Sequence, residues 1–591
     1  MSDVPSQRAP NMSPAEIIAL GLLVPLMAIL LYAGWHTFWF LTDDAYIAFR
    51  YVSNSQMGHG YVWNPAPFRP VEGYTSFLWV ALLDWVWSNL GISPPDAANG
   101  ISLGFAALTL VIGACAVLQI TWTDRLRPYR VVFVGLVMFA TISNRTFLAW
   151  TSSGLETAMF NFLFTAWLLL CLSIHGANQT RRMTCLSALA SLAALTRPDG
   201  LPIALATALL IGATSLYRAP ASISILKRLT PLMPLLAVPA HLLWRKNFYG
   251  EWLPNSYYAK VASQAFGWEF GWRYLLSFVM EYALWLWLIA ALAAAVHTLR
   301  RAPQTPRRFA RKPDAHGIAA GVGIGCVLFQ VSYYVIRVGG DHFEFRIFSY
   351  LILLAFISYT GFLNRVFRKP GPAILAFLFF IAVSWVIPWT HWAAARSINL
   401  PTRVRISVAD ALGKSAGWTP SPLKSYAKLF DELQGTLIDH GICIRHEEHV
   451  QFSEAQRRWW PTREEGMRIG GEGYPILVED CVGYPGWALP RINIIDSLGL
   501  NDYVVARSAP EKKVRFMAHD RVAPQRYLKC FSPNVEFNKA AGTAEFLRGK
   551  IDPRDWKVRV APRDKELTAA KICECERDFA LMRGLTPPLA R

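Results

Sequence analysis

The sequence predicts a polytopic α-helical membrane protein with a mixed α/β soluble tail, and three observations lead there. Of 591 residues, 53% are apolar and only 17% charged, too greasy a text for an ordinary soluble chain. Apolar stretches of about 18 or more residues recur between positions 16 and 390, each enough to carry a helix across roughly 30 Å of hydrocarbon. Beyond residue 390 the text turns polar and mixed in charge, with no spanning segment before Arg591. The chain therefore divides into a membrane half, 1–390, and a soluble domain, 391–591. Its formal charge of +18 sits in short basic clusters between apolar runs, the way membrane topology is encoded, so no nucleic-acid partner is expected.

The first run, 16–40, follows one basic residue, Arg8, and lacks a small-residue cleavage site; it reads as an uncleaved helix. Further runs fall at 74–92, 100–121, 131–149, 155–175, 183–196, 201–216, 229–244, 272–298, 317–336, 346–362 and 371–390. If all of them crossed from an inside N-terminus, Arg300, Arg301, Arg307, Arg308, Arg311 and Lys312 would face outward, with Arg365, Arg368 and Lys369. That breaks the positive-inside rule. Taking 74–92 out of the bilayer corrects these loops together with Arg125, Arg127, Arg130, Arg181, Arg182, Arg218, Lys227 and Arg228. The segment holds Asp84 among Trp79, Trp85 and Trp87, the make-up of a helix lying in the headgroup region. About eleven transmembrane helices are then expected, with the first outward loop at 41–99 and the tail outside.

Nearly every unusual polar cluster of the membrane half now lies on one side, as loops building a single site would. The first loop opens with Asp43 and Asp44, directly after an apolar helix, where paired carboxylates are costly. They suit a base or nucleophile for sugar transfer, or a solvated helix end; two adjacent residues on a helix cannot both face one substrate. In the same loop Arg69 suits a phosphate as a fork donor or an ion pair with Glu72. Glu156 starts an apolar helix and is read as dipole-favoured, with Ser152 or Ser153 as cap. TRPDG offers Arg197 as a phosphate ligand beside Asp199.

The loop WRKNFYGEWLPNSYYAK sets Arg245, Lys246 and Lys260 beside Trp252, Tyr257 and Tyr258, fit for a ligand that is part phosphate, part sugar and part lipid, or for an aromatic belt. RVGGDHFEFR brings Asp341, His342, Glu344 and Arg346 together. A metal reading is set aside, because an extended strand would turn His342 away from Asp341 and no second ligand spacing is visible. No Walker loop, G-x-G-x-x-G or H-E-x-x-H occurs, which disfavours a nucleotide-driven transporter. No cofactor is expected, a divalent cation being left open.

In the tail, YPILV and RINIID read as strands and 422–440 as helix. Five cysteines there allow two disulfides, of which Cys443 with Cys481, and Cys530 with Cys573 or Cys575, is one arrangement. Asp496, Asn501, Asp502 and Arg507 cluster after a strand, as a structural turn or an acceptor-recognition patch.

Taken together, DDAYIAFRY, GHGYVWNP, VEGYTSFLW, SGLET, TRPDG, YGEWLPNSYYAK, GGDHFEFR and DSLGLNDYVVAR resemble a bacterial family of multi-spanning transferases related to the mycobacterial terminal β-(1→2) arabinofuranosyltransferase. The resemblance covers residues 16 to about 510. It implies a GT-C fold in the bacterial inner membrane, a periplasmic C-terminal domain, a polyprenyl-phosphate sugar donor and an essential carboxylate matched by Asp43 and Asp44. The expected activity is transfer of a sugar, arabinofuranose first, to an envelope glycan, lipopolysaccharide or pilin-like acceptor. Ala45 stands where the mycobacterial enzymes tend to have Gly. A lipid-linked sugar flippase and a non-catalytic envelope assembly protein are the rival readings.

Overall fold

The computed structural model describes residues 12–173, 179–218, 228–260, 267–301, 315–396, 405–415, 420–508, 516–517, 519, 521–537 and 558–585. Of the basic loop residues, Lys227, Arg307, Arg308, Arg311 and Lys312 lie outside these.

Helix α1 (Pro14–Thr37) starts at a capping box in which Ser13 and Glu16 satisfy each other's backbone. The amphipathic α2 (Asp43–Gln56) and α3 (Phe77–Leu90) precede α4 (Pro94–Leu118), α5 (Arg130–Ile142), α6 (Arg145–Thr151), α7 (Thr157–Leu172), α8 (Gln179–Thr196) and α9 (Gly200–Arg218). Then come α10 (Ala237–Tyr249), α11 (Asn255–Lys260), α12 (Gly267–Glu281), α13 (Leu284–Arg300), α14 (Ala315–Ser332), α15 (Leu351–Val366) and α16 (Pro370–Arg396). Among the described residues five helices are long and apolar enough to cross a membrane, or seven if the pairs α5–α6 and α12–α13, bent by 67° and 85°, each count as one span. The remaining crossings of the expected eleven would have to come from α7, α8, α9 and α10, the last lengthened by the 3₁₀ segment Thr230–Leu236 that runs directly into it. Exposed Ile18, Leu22, Leu292, Leu299 and Leu375 give the bundle an apolar outer surface, as a bilayer requires.

Helix α3 has 14 residues, about 21 Å, short of the hydrocarbon core. It lies along the first loop instead: Asp84 accepts from Ser55 (3.0 Å) and Tyr61 (2.8 Å), and Trp85 is exposed.

The last apolar helix runs on to Arg396, six residues past the break in composition. After it the tail comprises α17 (Val408–Ser415), α18 (Ser421–Asp439), α19 (His446–Trp459), α20 (Arg463–Gly466), α21 (Gly483–Ala488), α22 (Tyr503–Ala506), α23 (Gln525–Cys530) and α24 (Ala569–Met582). Strands β1 (Ile476–Glu479) and β2 (Asn493–Asp496) fall on YPILV and RINIID and pair in parallel; β3 (Val535–Phe537) and β4 (Val558–Val560) pair antiparallel. The tail has a core around Ile476, Val505, Tyr527 and Ile572, joined by Phe68 and Val71 of the first loop, and it also shares cores with the rest of the chain. One core joins Phe49, Tyr51 and Trp63 of the first segment to Trp487 and Ile494, and another joins Met280 and Ile387 of the bundle to Phe430.

One disulfide forms, Cys530–Cys575. The pairing of Cys443 with Cys481 is not made: Cys443 is buried against Gln434, and Cys481 lines a cavity next to Asp43 and Asp480.

Candidate active site

Helix α2 begins where Thr42 accepts a hydrogen bond from the Asp44 backbone N–H (3.0 Å), so Asp43 and Asp44 occupy successive positions about 100° apart around its first turn. The two carboxylates diverge. Asp43 accepts from the backbone N–H groups of Gly483 (3.1 Å) and Tyr484 (2.9 Å), pinning the tail's α21. A Cβ at Gly483 would stand 1.9 Å from the Asp43 carbonyl oxygen, so only glycine permits this approach. Burial pushes the Asp43 carboxyl up to about 7 in spite of these bonds. Asp44 opens into a cavity of about 480 Å³.

The five segments expected on one side of the membrane meet at that cavity: Asp44, Glu156, Arg197 with Asp199, Tyr257 with Lys260, and Asp341, His342 and Arg346 line it. Arg197 bridges Glu156 and Asp199 at 2.8 Å each, Arg346 pairs with Asp341 (3.2 Å), and Lys260 lies 3.9 Å from Asp44. Tyr334 donates to Asp199 (2.7 Å). Leu201, Pro202, Leu253 and Phe329 make the apolar part of the wall. Among the described lining residues, the cations Arg197, Lys260 and Arg346 face the carboxylates Asp44, Glu156, Asp199 and Asp341. The Lys260–Asp44 contact is the loosest of these pairs, between side chains 31% and 34% exposed. Burial alone would raise Asp44, but the cations Lys260 and Arg346 hold it below the usual carboxylate range, ionised at neutral pH.

A second chamber of about 270 Å³ adjoins the first and shares Asp44, Ile47, Lys260, His342 and Leu500 with it. The tail supplies its far wall through Glu448, His449, Phe452, Asp480, Asp496, Phe516 and His519. Rings of His342, His449 and His519 lie 5.2 to 5.5 Å apart around His342. His342 Nδ1 donates to Gly441 O (2.8 Å) and His519 Nδ1 to Met517 O (3.1 Å), which leaves each Nε2 as an acceptor. Burial lowers all three imidazoles, to about 4, 3 and 4, and keeps them neutral. No group of three or more His, Cys, Asp or Glu among the described residues is arranged to hold a metal ion.

Several expected ligands lie elsewhere. Glu72 pairs with Arg245 (2.6 Å) rather than with Arg69, and both are buried. Arg69 stacks 3.5 Å above Tyr503, near Glu251. Lys246 donates to Gly250 O at the end of α10, and Tyr258 donates to Glu251 beneath Arg507. Glu156 does stand at the helix start, as the N-cap of α7, but no serine caps it: Ser152 donates to Phe38 O, Ser153 accepts from the Leu155 N–H, and the Glu156 carboxylate turns to Arg197. His342 does not face away from Asp341. Both line the first cavity, because Gly339 and Gly340, at φ 88° and 114°, make this segment a turn and not a strand. Glu344 points away into the bundle. Of the tail cluster, Asp496 closes its own turn through Leu498, Gly499 and Asn501, Asp502 caps α22, and Arg507 lies between Tyr258 and Tyr503. Only Asp496 reaches a chamber. His449 and His519 lie far along the chain from Asp44, with no local sequence pattern to mark them.

No protein-family model matches the chain, and no curated protein sequence matches it. Among solved structures, it is similar to ArnT from Cupriavidus metallidurans bound to undecaprenyl phosphate, at 11% identity and TM-score 0.44, over 80% of this chain and 85% of that one. The same protein in the apo state aligns at 12% identity and TM-score 0.47, over 88% and 93%. At these scores neither superposition fixes the fold or the chemistry of this chain.

Proposed function

We propose that the chain is an integral-membrane glycosyltransferase. It moves a sugar, arabinofuranose on the motif resemblance, from a polyprenyl phosphate to a hydroxyl of an envelope acceptor on the periplasmic side. The observation that carries the reading is the position of Asp44, an ionised carboxylate between a partly apolar, cation-bearing cavity and a second chamber closed by the tail. The first cavity takes the donor, its phosphate drawing Lys260 and Arg346 and its prenyl chain leaving along Leu201, Pro202 and Phe329. The second takes the acceptor, whose hydroxyls meet carboxylates and neutral imidazoles and whose sugar faces meet Phe452 and Phe516.

Donor binding also prepares the base. As the phosphate takes over Lys260, Asp44 loses a neighbouring cation and becomes more basic. Asp44 then accepts the acceptor's O–H proton, the acceptor oxygen attacks the anomeric carbon, and the bond from that carbon to the phosphate oxygen breaks. The leaving phosphate keeps both electrons and is held by Lys260 and Arg346. No nucleotide enters.

The test is incubation of purified protein with radiolabelled polyprenyl-phosphate arabinofuranose and a membrane extract, beside Asp44→Asn. Label reaching a larger product only with wild type supports the reading; equal transfer by both proteins defeats the role of Asp44. Lipid bound and relocated across vesicles without transfer would favour a flippase.

A further inference from the structure

We propose that the bundle holds an anionic diacyl phospholipid in a second, larger crevice at the membrane face opposite the candidate active site. The crevice, of about 1300 Å³, lies between α4, α7, α8, α13, α14 and α15. Its place follows from three helices that each reach both sites. Helix α8 runs from Arg182 in the crevice to the residue before Arg197 in the cavity, α14 from His316 to Gln330, and α15 from Arg365 back to a turn after Arg346. At 1.5 Å per residue the crevice's far end, at Arg182, His316 and Arg365, lies about 21 to 28 Å along these helices from the cavity, close to the thickness of a hydrocarbon core, while its inner end at Leu328 and Leu351 reaches up to the cavity's own Phe329.

The crevice's chemistry is lopsided. Leu169, Leu189, Ile324 and Leu328 form apolar walls, whereas half-buried Arg182, exposed Arg365 and His316 are the basic residues of the lining. No carboxylate is found among its described lining residues. Arg182 donates to Ser173 O (2.7 Å), which orients its guanidinium, and Arg181, Arg368 and Lys369 are exposed nearby in sequence. Basic pockets between membrane helices on the cytoplasmic side are the setting in which acidic headgroups bind. The positive-inside rule places these same clusters on that side. The volume exceeds the roughly 300–1,000 Å³ typical of small-ligand pockets and suits two acyl chains. A phosphate between Arg182 and Arg365 with its chains along α14 fills both parts of the crevice.

The test needs no turnover. Delipidated full-length protein in a neutral detergent is titrated with equal amounts of phosphatidylglycerol and phosphatidylcholine of matched chains, and bound lipid is read by native mass spectrometry. Wild type should prefer phosphatidylglycerol by roughly ten-fold. The double variant Arg182→Gln, Arg365→Gln should lose the preference, and Leu328→Trp, which fills the apolar part, should lower occupancy by both lipids. Equal binding of the two lipids by wild type overturns the proposal, as does a preference untouched by all of these substitutions. A polyprenyl phosphate that displaces phosphatidylglycerol would instead assign the crevice to a prenyl lipid.

Discussion

Asp43 and Asp44 are neighbours in sequence with opposite surroundings, and their substitutions separate accordingly. Asp44→Asn should lower kcat by about 10²-fold or more, the usual worth of a positioned base. Asp43→Asn keeps the cavity and should hold kcat within about ten-fold, because its loss is one bond to α21, roughly 1 kcal/mol. The two variants assayed side by side decide between these roles. The Asp43 carboxyl is raised from 3.8 to about 7, so the folded chain holds a proton there that the unfolded chain has released. Its contribution therefore weakens as pH climbs through that window, and wild type should lose more melting temperature between pH 5 and 8 than Asp43→Asn does. Of the cations around Asp44, Lys260 does most to hold it down. Lys260→Ala should move the acid limb of kcat/KM to higher pH, a shift that a merely structural lysine would not produce.

At the scale of elements, two buried arginines fasten the tail to the membrane half. Arg50 of α2 is fully buried and donates to Trp63 O, Gly486 O and Ile492 O at 2.7 to 2.8 Å, with Asn64 at 3.2 Å. A lysine cannot reach so many carbonyls at once, so Arg50→Lys as well as Arg50→Ala should destabilise by about 3 kcal/mol or more. A lower melting temperature and faster tail proteolysis would register it. At the bends of the two broken pairs, Arg145, the first residue of α6, clasps Glu344 (2.5 Å), and Arg445 clasps Glu281, the last residue of α12 (2.7 and 2.8 Å), while approaching Glu344 (3.4 Å). Glu344 belongs to the turn that carries Asp341, His342 and Arg346. Glu344→Gln leaves buried guanidinium charge underpaired, at a cost of about 3–5 kcal/mol. It should raise KM through the displaced turn even where the protein still inserts.

For the whole molecule, tail and first loop fold as one body over the bundle, and the expected orientation puts that body outside. Cys573 is exposed on α24, so a membrane-impermeant maleimide should label it in intact spheroplasts and not in Cys573→Ser; labelling only after lysis would invert the topology. The positions of the apolar helices, the short helix around Asp84 and the loops that meet at one cavity were readable from composition, length and charge, because these features are written in local runs of residues. The pairing of Glu72 with Arg245, the disulfide partner of Cys530 and the histidines of the second chamber were not, since each joins residues tens to hundreds of positions apart. Sequence alone narrowed the chemistry to a carboxylate pair at the end of the first helix. Only tertiary structure decided between its members, because the direction of each carboxylate is set by what docks on it: backbone N–H groups from the tail hold Asp43, and Lys260 across an open cavity faces Asp44.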